Sequence, residues 1–507
     1  MFFALVMSAF FLVNSSVFAQ DTLELLPGSD RLTFNRELKA NILAGNVHFR
    51  TQGNNMYCDS AVYFKEINYV KAYGNVHINK KGEMNLFCDS MWYDGETKIA
   101  LLWSKVRARD NKYKLTTDSM EYNANLERAV YRHGGKVESI EGKEVLTSKI
   151  GYFYPNKKDF FFKDSVVYQG EDARMTTDTL QYSYQQNRLV FYGPTNIYQD
   201  SSIIYCESGY FLTEEEKGEL RENAKIEKGS QFLYGDTLQF DNKEKIAIGR
   251  GNVCVEDTLQ DFSFLGNYMY KNDSIKEMFI TGDALAIKPD KKDTLYIHAD
   301  TLFNIGDTTE KPSRILAYYG VKIFGNNLQG QCDSLVYTKE NDRMDMYRKP
   351  ILWTKKGELK SDTIFVFMKD SLIDRAELFM NATALFEIDS GQYYNQISGK
   401  RMKAFFMDNE VQRVDANGNA QTIYFPEEEE KTDTALVIKR QGMNRLYASD
   451  LRVYLDSGEV VGITYFKQPD GVVYPLNKIP KSEQFVPGFE WNPMLRPRSW
   501  YTLIKMD

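Results

Sequence analysis

Histidine is scarce in this chain, with four among 507 residues: His48, His77, His133 and His298. None stands at ligand spacing from a cysteine, which leaves little with which to hold zinc. The five cysteines are odd in number and widely spaced, so they do not form a disulfide framework. A basic excess is absent too. Lys and Arg number 63 against 70 Asp and Glu, a net charge of −7. That balance excludes the electrostatic footprint of a nucleic-acid binder and a polybasic membrane patch. No phosphate loop, Gly-x-Ser-x-Gly or His-Glu-x-x-His motif occurs. Nor does any stretch concentrate acids and bases as a glycan-cleaving repeat enzyme requires. The expectation is a non-enzyme without cofactor or metal. Proline is sparse (13), whereas Tyr and Phe are abundant (33 and 32). Aromatic-rich, proline-poor sequence favours long strands.

One long apolar run exists, Phe2 to Val13, followed by Val17-Phe18-Ala19. Its length is short for a membrane span and the small residue at its end suits signal cleavage. Residues 1–19 are therefore predicted to be an export signal, although no Lys or Arg precedes the apolar run. Gln20 follows the cut, where a lipoprotein would have Cys.

What is present in quantity is repetition. The acids of YCDSAVY and FCDSMWY, Asp59 and Asp89, start a series that continues at Asp118, Asp178, Glu207 and Asp236, in steps of 29, 30 or 60 residues. It slips and resumes at Asp300, Asp333 and Asp362. LTSKIGYFY occupies the middle of the double step. Counted from the acid, −3 is usually apolar and −1 is small (Cys58, Cys88, Thr117, Thr147, Thr177, Cys206, Gly235, Ala299, Cys332, Ser361). Positions +2 and +4 are bulky: Met91 and Tyr93, Met120 and Tyr122, Ile150 and Tyr152, Leu180 and Tyr182, Leu238 and Phe240. A second marker keeps the same step, as in AGNVHF, YGNVHI, YGPTNI and RGNVCV.

Alternation with period two makes these strands. The sets −3/−1 and +2/+4 have opposite parity, so both enter one core only if the strand changes phase between them. A corner at Asp-Ser/Thr is predicted at Asp59, Asp89, Asp118, Asp178, Asp236, Asp300, Asp333 and Asp362. Cysteine at −1 is exchanged for Thr, Gly, Ala or Ser, which argues for a small buried residue. A nucleophile would be unique and paired with a base. A bridge between Cys58 and Cys88 is the minor alternative. His48 and His77 are expected as an exposed stacked pair, and the acid run Glu427–Glu430 as a solvated loop tip. Units of about 30 residues cannot bury a face alone and must stack into a common core.

Signal, repeated Tyr-Gly-Asn-Val and small-Asp-Ser/Thr-Φ-x-Tyr at this spacing together resemble the OstA/LptA-type lipopolysaccharide-transport family, over nearly the whole mature chain. The resemblance implies an elongated, V-shaped all-β repeat jelly roll of stacked rungs, open along one side. It implies a non-enzymatic carrier in the periplasm, with association with the outer membrane as a further expectation. Lipopolysaccharide or a related glycolipid would be held in a groove lined by Met91, Tyr93, Met120, Tyr122, Ile150, Tyr152, Leu180, Tyr182, Leu238 and Phe240. Other Lpt-type jelly-roll proteins would join by edge-strand pairing, and copies would associate head to tail. Breaks in the repeat divide the roll into 20–285 and 286–470, with 471–507 a proline-rich cap or docking segment. The competing expectation is a sealed structural or adhesive β-solenoid that binds protein or glycan on its outer face.

Overall fold

The computed structural model describes residues 23–505 except 52–53, 81–83, 155–156, 158, 172, 184, 200, 260, 290–292, 307–312, 370–371, 409, 432–435 and 457–458. The expected signal, residues 1–19, lies outside the described residues. The chain forms two compact units, Met1–Asp200 and Ser201–Asp507. Strand Glu277–Pro289 runs through residue 285, where the repeat slips in sequence.

The fold is the all-β repeat roll the period implies. In the first unit, strands such as Ala40–Thr51, Asn54–Phe64, Tyr69–Lys80, Met84–Asp94, Ile99–Arg109 and Tyr113–Asn123 pair antiparallel, each with the next. The second unit repeats the scheme from Ser202–Leu212 to Gly442–Asp456. The acid run is not a loop tip: Glu427–Lys431 is one arm of a separate hairpin with Leu436–Arg440.

Every long strand turns a corner at mid-length. Ala44 pairs with Ser60 and Val47 with Cys58, so Gly45 and Asn46 together face Asp59. The acid strand does change phase: Met56, Cys58, Ala61 and Tyr63 are buried while Asp59 and Ser60 lie outward between them. The extra residue, however, belongs to the facing strand. There two successive residues take the left-handed conformation: Gly45 and Asn46 (φ 73° and 49°), Gly74 and Asn75 (74° and 44°), Gly251 and Asn252 (70° and 46°). That conformation costs an ordinary residue roughly 1–2 kcal/mol and is easiest for Gly and Asn. This is the physical reason for the recurring Gly-Asn pair.

The repeated acid serves this corner. Asn75 donates its amide to Asp59 at 2.9 Å, Asn223 to Glu207 at 2.7 Å and Asn252 to Asp236 at 3.0 Å. Where Asn is missing, Ser104 and Lys105 meet Asp89 and Arg348 meets Asp333. These groups lie on the outer ridge of the bend.

The C-terminal residues first add one short strand to the ladder and then leave it. Asp470–Pro475 pairs with Gly442–Tyr447 of the last long strand. The chain then recrosses the outer face of the second unit's rungs. Gln329, Trp353, Glu358, Leu385, Gln396, Ile423 and Arg445 form one cross-strand row on that face. The Arg445 guanidinium donates to the Glu483 and Phe485 carbonyls. Gln396 holds the Gln484 carbonyl and the Val486 amide, and Glu358 accepts from the Asn492 amide. Val486 and Leu503 are buried beneath. Polar groups buried on the row thus find partners in the strap's main chain.

Replacing Gly74 by Ala forces a left-handed alanine whose methyl meets the Asp59 carboxylate. A loss of about 3 kcal/mol is expected in urea unfolding. Gly142→Ala, also left-handed but facing open space, should lose only about 1 kcal/mol.

Candidate functional site

The corner folds each strand into two half-strands, which line two facing walls. One wall presents the −3 and −1 positions, the other +2 and +4. Within the first unit, cross-strand pairing strings the +2 positions into a continuous row in which Met91, Leu102 and Met120 are neighbours; Phe162, Leu180 and Phe191 continue the row. The +4 row alternates large and small: Tyr63, Val70, Tyr93, Ala100, Tyr122, Ala129. A bulky ring on one strand lies beside a small side chain on the next, which lets the rows pack without gaps.

Met91, Met120, Leu180 and Tyr182 are buried in this interior, while Tyr93 and Tyr122 are half-buried towards its mouth. In the second unit Leu238 is fully buried. Phe240 is half-buried, and its ring lies where Gly218 carries no side chain. Ile150 and Tyr152 are placed differently from expectation. Gly151 pairs with Phe162 and with Tyr131, and Phe153 pairs with Phe160 and Ala129. Gly151 and Phe153 are therefore the +2 and +4 residues of this rung, and Ile150 and Tyr152 have the opposite parity. The rung lacks the acid, so counting placed the corner at Ser148. Ser148 is instead the small buried residue and Lys149 stands at the bend, next to Asp164. The Tyr131 ring fills the space above Gly135 and Gly151.

The walls share backbone only through the corner. On the other side, among the described residues, the bonds across the mouth each involve a side chain. In the first unit Tyr113 donates to Glu144 at 3.0 Å and its oxygen lies 2.9 Å from that of Tyr182. Tyr168 donates to the other Glu144 oxygen at 2.9 Å. Tyr113 belongs to the −3/−1 wall, two residues beyond Leu115, and Tyr182 to the +4 row opposite. Burial pushes the Tyr113 and Tyr168 phenols well above the ordinary range, aided for Tyr113 by the Tyr182 contact and for both by the Glu144 charge. At the first rungs, the Tyr63 hydroxyl reaches the carbonyl of Leu23.

The second unit has a counterpart. Lys288 donates to the Tyr337 hydroxyl and to Asp342, both at 2.8 Å, and Tyr337 also donates to Asp342. Tyr337 is again a +4 residue, and Lys288 again lies on the wall opposite, two residues beyond Ala286. Neither network was foreseen: Glu144 sits two positions before the apolar Leu146, and Lys288 two positions after Ala286, the cross-strand partner of the −3 residue Ile297, where no recurrent residue type marks a function.

Beneath the Tyr113 network a void of about 10 Å³ remains, lined by Leu115, Met120, Phe153, Phe160 and Phe162 among others. That is room for about one water molecule.

All five cysteines are free thiols. Cys58 and Cys88 are separated by the strand that carries Val76. Two strand spacings amount to about 10 Å, beyond the Cα–Cα reach of a disulfide at about 7 Å. His48 and His77 lie on the outer face without stacking on each other. Tyr57 stands between them (4.4 and 6.0 Å between ring centres), and Phe87 stacks on His77 at 4.3 Å. Among the described residues no three His, Cys, Asp or Glu side chains converge as metal ligands.

Residues 22–178 match the family model described as OstA-like protein. This part of the chain is similar to OstA-like proteins. The OstA-like stretch opens just before the first described strand and ends on the corner acid Asp178. Among solved structures, LptH of Pseudomonas aeruginosa, described as the LptA-homologous periplasmic component of a lipopolysaccharide transport device, shares 18% identity. The match covers 23% of this chain and 82% of that one, with a TM-score of 0.21. A putative dipeptidyl aminopeptidase IV from Bacteroides ovatus shares 8% identity over 71% of this chain and 56% of that one, with a TM-score of 0.09. At such scores neither structure bears on the fold, which rests on the strand pairing itself. No curated protein matches the chain.

Burial pushes the thiols of Cys58, Cys88, Cys206 and Cys332 up to about 12 and that of Cys254 to about 11. At pH 8 almost no thiolate is present to react. Ellman's reagent should therefore leave the native protein nearly unmodified over minutes and titrate five thiols in urea.

Proposed function

We propose that this chain is a non-enzymatic lipid carrier or bridge that holds the acyl chains of lipopolysaccharide, or a related glycolipid, between its two walls on the way to the outer membrane. It would act in the periplasm after export. One observation carries the reading. The walls of each unit are hinged by backbone at the corner, yet the bonds described across the mouth each involve a side chain. Such a roll opens without breaking its strand ladders, and what it exposes is a continuous apolar surface. Each methylene taken into it contributes about 0.8 kcal/mol. Partners would be other Lpt-type jelly-roll proteins, joined strand to strand, or further copies head to tail. Free edges support this: Arg31–Asn35 exposes Leu32 and Phe34, and Glu459–Phe466 exposes Val461 and Phe466.

The close packing of the described residues beneath the Tyr113 network favours a second reading, a sealed structural or adhesive β-solenoid that uses its outer face. A photoreactive residue separates the two. At Met120 or Leu180 it should crosslink to a lipid A-bearing glycolipid, whereas at the outward Trp92 it should not. Crosslinks confined to Trp92, or none at saturating lipid, would support the solenoid.

A further inference from the structure

The end of the strap over the second unit has two sides of different chemistry. Three contacts hold it to the outer face. The Asn492 amide donates to Glu358, the Arg496 guanidinium donates to the Gln329 side-chain oxygen at 2.6 Å, and Trp500 stacks on Tyr296 at 5.6 Å between ring centres. Tyr296 pairs with Phe324, Phe324 with Gln329, Gln329 with Trp353 and Trp353 with Glu358. The three anchors therefore stand on every second strand, about 10 Å apart. Pro497 and Leu503 are buried. The inner side is thus taken up by the fold.

The outer side is apolar. Met494 is 74% exposed, Leu495 47%, Trp500 47% and Tyr501 59%; among the described large apolar residues only Leu259 is more exposed than Met494. Such a cluster marks a site of contact with a protein or a membrane. Two features narrow the choice. Leu32 and Phe34, like Val461 and Phe466, lie on strands at sheet edges, where an added strand covers them. Residues 491–501 belong to no strand, so nothing there offers a ladder and contact comes through side chains. Their charge is also one-sided. Residues 491–505 contain Arg496, Arg498 and Lys505 and no acid, in a chain of net charge −7. Arg496 is turned inward to Gln329, whereas Arg498 is exposed. Trp and Tyr carry an apolar body and a polar tip. Beside Met, Leu and a cation, they are the side chains that settle between lipid headgroups and acyl chains.

We propose that this side of the strap seats the protein on an anionic phospholipid surface. Met494, Leu495, Trp500 and Tyr501 enter the headgroup boundary, and Arg498 faces the lipid phosphates. Without a polybasic patch the attachment is weak and reversible. The inference does not rest on the groove reading, because it concerns the outer face; a sealed roll would be seated in the same way.

The test is flotation of the full chain with vesicles of phosphatidylethanolamine and phosphatidylglycerol, and with vesicles of phosphatidylcholine alone. The first should carry the protein and the second far less, and added salt should release it. Changing Met494 and Leu495 together to Ser should weaken binding about tenfold, with the melting temperature unchanged by circular dichroism. Arg498→Gln should weaken binding to the anionic vesicles about fivefold. Leu126→Ser, at an exposed position of the first unit, should change nothing. If the double variant floats as well as the unmodified chain, or Leu126→Ser weakens flotation equally, the strap is not the contact and the inference falls. Photocrosslinking of glycolipid at Met120 should be the same in the double variant; a matching loss there would trace flotation to the interior and overturn the assignment. If the unmodified chain floats with neither vesicle, the lipid assignment is overturned, and a dimer abolished by the double variant would give the patch to a second copy.

Discussion

Two consecutive left-handed residues facing one acid are the constraint on which both units depend. Without that corner, −3/−1 and +2/+4 would lie on opposite faces of a flat sheet, and half of the bulky side chains would be in water. With it, every long strand contributes to both walls, and a chain with few helices and few prolines buries its aromatics. The acid, the Asn and the small −1 residue are three parts of one bend. The acid anchors the Asn amide, the Asn adopts the conformation, and the small residue leaves room inside.

The same geometry makes the two sides of the roll unequal. At the corner, the walls are one continuous backbone; separating them would require breaking ladder after ladder. At the mouth they are held by hydroxyls, a carboxylate and an ammonium, each worth on the order of 1–3 kcal/mol. Opening is therefore cheap on one side and costly on the other. The strap across the second unit adds a further asymmetry. There Glu358, Gln396 and Arg445 tie the last rungs to residues 483–492, while the outer face of the first unit is left to stacked rings such as His77 and Phe87.

The period, the strand class and the phase change were legible because each repeats many times, so single exceptions average out. Aligned copies also showed that Cys58 and Cys88 stand where Thr or Ser serve as well, and the free buried thiols agree. What could not be read was whatever occurs once. The rung without an acid shifted its alignment by one residue, which exchanged Ile150 and Tyr152 for Gly151 and Phe153. Gly-Asn was recognised as a marker, but its role depends on which strand carries the extra residue, and only the pairing decides that. Tyr113 with Tyr182, or Lys288 with Tyr337, are brought together across the mouth by the folding of the walls, and no spacing in the sequence encodes that distance. The same holds for the strap, whose prolines say that the ladder stops but not which face receives the chain.

The most direct test is the width of the mouth with and without lipid. Lys112 and Gln186 are exposed at hairpin tips on opposite walls of the first unit; four native thiols are buried, and the half-buried Cys254 is replaced by Ser before labelling. Spin labels at Lys112→Cys and Gln186→Cys, read by pulsed electron resonance, should give one distance in the free protein. A longer one should appear as a lipid A-bearing glycolipid is added to saturation. A distance that stays fixed when lipid is demonstrably bound would contradict a roll hinged at its corners and opened at its mouth.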